Sequence, residues 1–139
     1  LIKESPDLIN KEDIKNAWNK MLLSYRMESL HYLKTLQEKY PLYLLSNTNS
    51  IHYNDFTAAL KNRGVSKPLS SYFTKAWYSH EIGFRKPDLS CYEFILADAG
   101  LVAEETLFID DTIANLEAAE KLGFQTKLML PDDRIENFL

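Results

Sequence analysis

Cysteine is nearly absent: Cys91 is the only one in 139 residues. No disulfide can form within the chain, and the composition suits a reducing compartment, which favours the cytoplasm. Long apolar runs are missing too. None approaches the roughly 20 residues of a membrane-crossing helix, and residues 1–10 (LIKESPDLIN) lack the basic-then-apolar order of a signal peptide. There is no basic cluster either: 16 Lys and Arg stand against 20 Asp and Glu, and the formal net charge is −4. A nucleic-acid backbone would find no cationic stripe, so neither nucleic acid nor membrane is an expected partner. An initiator methionine is also missing. The chain opens Leu1-Ile2-Lys3 and is read as N-terminally truncated.

What is present is a globular composition, 45% hydrophobic and 26% charged, in a chain long enough for one contiguous core. Asn10 can cap a helix over about 11–24, with Ile14, Ala17, Trp18, Met21 and Leu22 at helical spacing. A second stripe, Met27, Leu30, Leu33 and Leu36, runs to Tyr40, where Pro41 blocks continuation. The pattern then changes. Residues 42–45 (LYLL) read as a buried strand and are followed by the polar cluster 46–50. Phe56, Ala59 and Leu60 mark a helix closed by Gly64, and residues 72–78 read as a second strand. A helix from near Asp88 carries Tyr92, Ile95, Leu96 and Ala99 to Gly100. Residues 106–109 (TLFI) form a third strand, Leu116, Ala119 and Leu122 a helix stopped by Gly123, and residues 126–130 a fourth strand. Strands alternating with helices through short connections imply an α/β fold with a three-layer, Rossmann-like parallel sheet.

In such sheets ligands bind beyond the carboxyl ends of the strands. Two strand tips carry chemistry: Ser46 and Asn47 after the first, Asp110 and Asp111 after the third. Lys86 lies in the loop before the helix near Asp88. Adjacent carboxylates repel, and their burial needs a compensating cation; magnesium, held by one or two carboxylates plus substrate phosphate, fits. A hydroxyl, backbone amides and a lysine suit a phosphoryl anion. Each feature also has an ordinary reading. The acids could cap the next helix, Ser46 and Asn47 could be turn-formers, and Lys86 could be a solvated surface residue. The pair Asp132-Asp133 reads as a solvated loop or cap.

Three segments in order, 42–49 (LYLLSNTN), 83–88 (GFRKPD) and 106–115 (TLFIDDTIAN), resemble the second, third and fourth motifs of haloacid dehalogenase-superfamily hydrolases. The longer strings SNTNSIH and FIDDTIANLEAA are similar to a subgroup containing sugar-phosphate and glucose-1-phosphate phosphatases. The resemblance implies that Ser46 and Asn47 bind the transferring phosphoryl group and that Lys86 neutralises charge on it and on the nucleophile. It implies that Asp110 and Asp111 hold Mg2+ and that Asn115 orients the acidic loop. His52 lies within the resembling stretch and reads as a capping or packing residue. The catalytic set is then Ser46, Lys86 and Asp110, acting on a small phosphorylated metabolite.

The family's first motif, a D-x-D nucleophile segment after the first strand, occurs nowhere in the 139 residues. Residues 1–40 are therefore read as the end of a helical cap with its linker helix, and residues 41–139 as a core lacking its first strand. The chain alone should be inactive. Two other readings stay open beside the phosphatase: a non-catalytic phosphate- and metal-binding module, and a dehalogenase, against which the retained acidic pair argues. A receiver-type signalling domain also uses paired acids, a hydroxyl and a lysine, but places its acids at the first strand.

Overall fold

The computed structural model describes residues 27–137; the helix expected over 11–24, with Trp18 and Met21, lies outside them. Helix α1 spans Met27–Gln37, strand β1 Tyr43–Ser46, and helix α2 Ser50–Asn62. A 3-10 turn, Leu69–Tyr72, precedes β2, Lys75–Tyr78, and the single turn α3, Ser79–Ile82. Then follow α4, Leu89–Ala99, a 3-10 turn at Ala103–Glu105, β3, Leu107–Asp110, and α5, Ile113–Glu120. Strand β4, Gln125–Leu128, and a last 3-10 turn, Ile135–Asn137, complete the order.

Both strand pairings are parallel. Strand β1 lies against β2 with Ser46 opposite Tyr78, and β3 lies against β4 with Asp110 opposite Leu128. Among the described residues these are two separate two-stranded sheets. The apolar run of β1 is explained by cover on both faces. Successive side chains alternate sides, so Tyr43 and Leu45 pack on one cluster, built on Trp77, Cys91, Tyr92, Ile95, Ala119 and Phe124. Leu44 packs on the other, built on Leu30, Leu60, Val65, Leu69 and Tyr72. Leu30 and Leu36 of α1 are both buried, and Leu30 packs in the second cluster with Leu60, Val65, Leu69 and Tyr72.

Residues 72–78 are not one strand, as the pattern had suggested. Tyr72 ends a 3-10 turn and is buried there. Pro68 precedes that turn, and its carbonyl accepts from both the Ser71 amide (3.0 Å) and the Ser71 hydroxyl (2.7 Å). A serine bonding to nearby backbone competes with the ladder and delays the strand to Lys75. The expected glycine stops at 64, 100 and 123 all hold, each with positive φ.

Strand β2 is tied to α4 through Asp98. Its Oδ2 accepts from the Trp77 indole at 2.7 Å and lies 2.6 Å from Lys75 Nζ, with the carboxylate side chain 32% exposed. The hydrogen bonds from Lys75 and then Trp77 hold this carboxyl below its ordinary value. A lowered folded-state pKa means that the stabilisation is fully present above the ordinary carboxylate value, about 3.9, and is lost as pH falls through the folded value. Asp98→Asn should therefore lower the urea midpoint at pH 7 and cost progressively less towards pH 3. Equal costs at both pH values would show that the charge on Asp98 is irrelevant.

Candidate active site

Three chain segments meet at the carboxyl ends of the strands. Asn47, just past β1, grips the backbone of Lys86: its Nδ2 donates to the Lys86 carbonyl at 2.8 Å, and the Lys86 amide donates to its Oδ1 at 2.9 Å. Lys86 then reaches across to β3, where its Nζ donates to Asp110 Oδ2 at 2.6 Å. The lysine and aspartate side chains are 11% and 5% exposed. Lys86 is thus no solvated surface lysine; it joins one strand pair to the other. Its ammonium also lies 5.6 Å from the centre of the Phe108 ring, a favourable cation–π position. Gly83, at φ +75°, ends α3 and turns the chain into this loop.

Asp110 is the most heavily bonded group of the site. Besides Lys86 on Oδ2, its Oδ1 accepts from the Thr112 amide at 2.9 Å and from Asn115 Nδ2 at 3.0 Å. Burial pushes its carboxyl up, but the hydrogen bond and charge of Lys86, with the Asn115 and Thr112 donors, outweigh it and hold the carboxyl below its ordinary value. Asp110 is ionised at neutral pH. Asn115 is itself buried rather than on the helix surface, and its carbonyl accepts from the Tyr92 hydroxyl at 2.8 Å. Burial first, and then the charge of Asp110, push the Tyr92 phenol up and keep it a neutral donor.

The two carboxylates differ. Both were expected to be buried at the strand tip, yet Asp110 is buried and Asp111 is exposed, its Oδ1 accepting from the Thr112 hydroxyl at 3.2 Å. Strand β3 ends on Asp110, so Asp111 already stands in the loop leading to α5. Repulsion between the two acids is thereby relieved by solvent at one of them. Ser46 is the last residue of β1 and half-buried. Asn47, Lys86, Asp110 and Asn115 form one hydrogen-bonded network, with Ser46 adjoining it through the chain and Asp111 at its solvent edge.

A hard cation fits this donor set in part. A carboxylate offers about four lone-pair positions, and Asp110 has used two on Oδ1 and one on Oδ2. One position remains on Oδ2, and Asp111 adds an exposed carboxylate. Among the described residues no group of three or more His, Cys, Asp or Glu side chains could hold a metal ion. Magnesium, which keeps several waters and takes one or two carboxylates plus a substrate phosphate, matches this sparse set. At the start of α2 the capping side chain is Asn49, whose Oδ1 accepts from the His52 amide at 2.9 Å. Tyr92, Thr112 and the clamp made by Asn47 were missed from sequence. Only Tyr92 left a signal, because a tyrosine on a buried helix face needs a partner for its hydroxyl.

A parallel α/β fold with a loop lysine, largely shielded from solvent, paired to a buried aspartate at a strand tip defines the class. The chain belongs to the haloacid dehalogenase-like hydrolase family, whose model matches residues 13–123. It is 31% identical over 118 residues to a D-ribitol-5-phosphate phosphatase of Bacteroides thetaiotaomicron, covering 85% of this chain and 57% of that protein. The chain thus spans a little over half the length of that curated relative. A haloacid dehalogenase-family enzyme from the same organism, solved in complex with magnesium, superposes with a TM-score of 0.77 at 31% identity, over 94% of this chain and 66% of that one. A haloacid dehalogenase-like hydrolase from Porphyromonas gingivalis gives 0.78 at 32% identity, over 94% and 63%. No helix among the described residues is long and apolar enough to cross a membrane.

Proposed function

We propose that the full-length protein is a magnesium-dependent phosphomonoester hydrolase that acts on a small phosphorylated metabolite such as a sugar phosphate, through an aspartyl-phosphate, in the cytoplasm. The observation that carries this reading is the Lys86–Asp110 pair, buried at 2.6 Å beside the tip of β1. A fixed ammonium and a fixed carboxylate at adjoining strand tips suit a reaction in which charge moves on phosphoryl oxygens.

In this mechanism Ser46 donates its hydroxyl, and Asn47 its backbone amide, to the transferring phosphoryl group. Lys86 neutralises charge on that group and on the attacking carboxylate, while the Asn47 clamp fixes the lysine backbone. Asp110 and Asp111 hold magnesium directly or through water, and Asn115 with the Thr112 amide fixes the orientation of Asp110. Magnesium, when bound, supplies further neutralisation of the phosphoryl charge. The attacking carboxylate belongs to a D-x-D segment outside these 139 residues. It forms a bond to phosphorus as the ester oxygen leaves, and the second aspartate of that segment protonates the leaving oxygen. Water then splits the acyl phosphate into inorganic phosphate and the free carboxylate.

The same reading assigns residues 1–40 to the end of a helical cap and its linker, and residues 41–139 to the core. The separation of β1–β2 from β3–β4 supports it, since a strand between β1 and β3 would join the two pairs into one sheet. A second reading is a phosphate- and metal-binding module without catalysis. Hydrolysis of an aryl phosphate by the full-length protein, with and without Mg2+, separates them. Metal-dependent turnover supports the phosphatase; a folded, D-x-D-bearing protein without turnover would overturn it.

A further inference from the structure

A cleft of about 350 Å³ opens beside the Lys86 loop, between the tip of β1 and the turn after β2; it adjoins the phosphoryl site through Asn47, and the rest of its lining has no role in the assignments above. We infer that it is the leaving-group subsite of the phosphatase proposed above, taking a polyhydroxylated carbon chain, with His80 and Arg85 as the residues that select it. The inference rests on the phosphatase reading and adds the identity of what is released.

The volume lies in the range of small-molecule sites, and the walls are locked. The Thr48 amide donates to the Ser79 hydroxyl at 3.0 Å and that hydroxyl donates to the Thr48 carbonyl at 2.9 Å. With the Asn47 clamp on Lys86, these bonds hold the two flanking loops together. His80 is fixed by aromatic neighbours, its ring 5.9 Å from that of Tyr53 and 6.1 Å from that of Tyr78, and its side chain is 22% exposed. Its Nε2 lies 3.8 Å from the Glu81 carboxylate. Arg85, adjacent to Lys86, is exposed and takes part in no ion pair among the described residues. Phe84, packed on Phe94 with ring centres 5.2 Å apart, adds an apolar surface to the lining.

The lining therefore offers, beside the His52 ring, the His80 imidazole that can donate or accept, the planar Arg85 guanidinium that only donates, and the Phe84 ring. A carbon chain bearing several hydroxyls uses all three. An apolar leaving group leaves the polar groups without partners, which is where discrimination is largest. A second anionic group would meet one permanent positive charge, Arg85, with the Glu81 carboxylate standing beside His80.

The test compares kcat/KM for a five-carbon alditol phosphate and for phenyl phosphate, in the full-length protein with Mg2+, for wild type, His80→Ala and Arg85→Ala. Loss of one hydrogen bond of about 1.4 kcal/mol is tenfold, so the alditol-to-phenyl ratio should fall about tenfold or more in each variant, mainly through a higher KM for the alditol phosphate. Partial unfolding lowers both rates alike and leaves the ratio unchanged, so folding defects cannot imitate this result. A ratio within twofold of wild type in both variants overturns the inference, as does a wild type that hydrolyses phenyl phosphate but not alditol phosphate. A wild type inactive on both substrates overturns the phosphatase reading itself.

Discussion

Replacing Lys86 by methionine is expected to destabilise the full-length protein by about 3–5 kcal/mol at pH 7, the usual consequence of removing one partner of a buried ion pair. The methionine keeps much of the stem's volume, so the effect isolates the charge. Asp110 would remain 5% exposed and ionised, with only the Thr112 amide and Asn115 as donors. The pH dependence gives a sharper test. In the wild type, the carboxyl of Asp110 sits below its ordinary value because Lys86 outweighs burial. Its contribution is therefore complete above about pH 3.9 and lost as pH falls through the folded value. Without Lys86 the effect of burial dominates and the carboxyl rises. The variant then carries a penalty that is complete above this raised value and relieved on acidification, so the gap in urea midpoint should narrow from pH 7 to pH 4. A gap independent of pH would mean that the pair contributes packing and not charge. Turnover should fall with it, by about 10²–10³ in kcat, the loss seen when a single donor to a developing oxyanion is removed.

The second large effect separates the two adjacent acids. Asp110→Asn puts an amide where Lys86, Asn115 and Thr112 all donate, so both stability and metal-dependent turnover should fall. If the metal provides several kcal/mol of transition-state stabilisation, the loss in kcat is about 10³ or more. Asp111→Asn is different, because Asp111 is exposed. Its stability should stay within about 0.5 kcal/mol of wild type, while the Mg2+ concentration for half-maximal activity should rise about tenfold. Thermal unfolding and a magnesium titration of each variant read both quantities. An unchanged magnesium requirement in Asp111→Asn would reduce that residue to a charge at the start of α5, the capping role that its sequence position also allows.

Much of this architecture is local and was therefore legible in the chain. The run 42–45 alternates onto two cores, so it had to be a strand covered on both faces. Gly64, Gly100 and Gly123 end their helices because each adopts a positive φ that other residues resist. The strand tips bearing Ser46 and Asp110 followed from those boundaries to within one residue. Where local signals conflicted, the reading failed. Residues 72–78 have the apolar and aromatic content of a strand, but the bonds from Ser71 to Pro68 hold Tyr72 in a 3-10 turn.

The interactions that make the site were outside the reach of periodicity. Asn47 and Lys86 are 39 positions apart, and Lys86 and Asp110 are 24 apart. Composition and spacing say which residues lie near strand tips, but not which tips adjoin or whether a lysine there is solvated. Burial of Lys86, separation of Asp110 from Asp111, and insertion of Asn115 beneath the acid all depend on how α4, α5 and the two strand pairs pack. The sequence by itself determined the order of elements, their ends and the residue types offered at each tip, because these follow from backbone preference and hydrophobic period over a few residues. Only the tertiary structure decided which of those residues share a proton, a charge or a cleft, because such contacts are made across tens of residues by packing, and burial sets their strength.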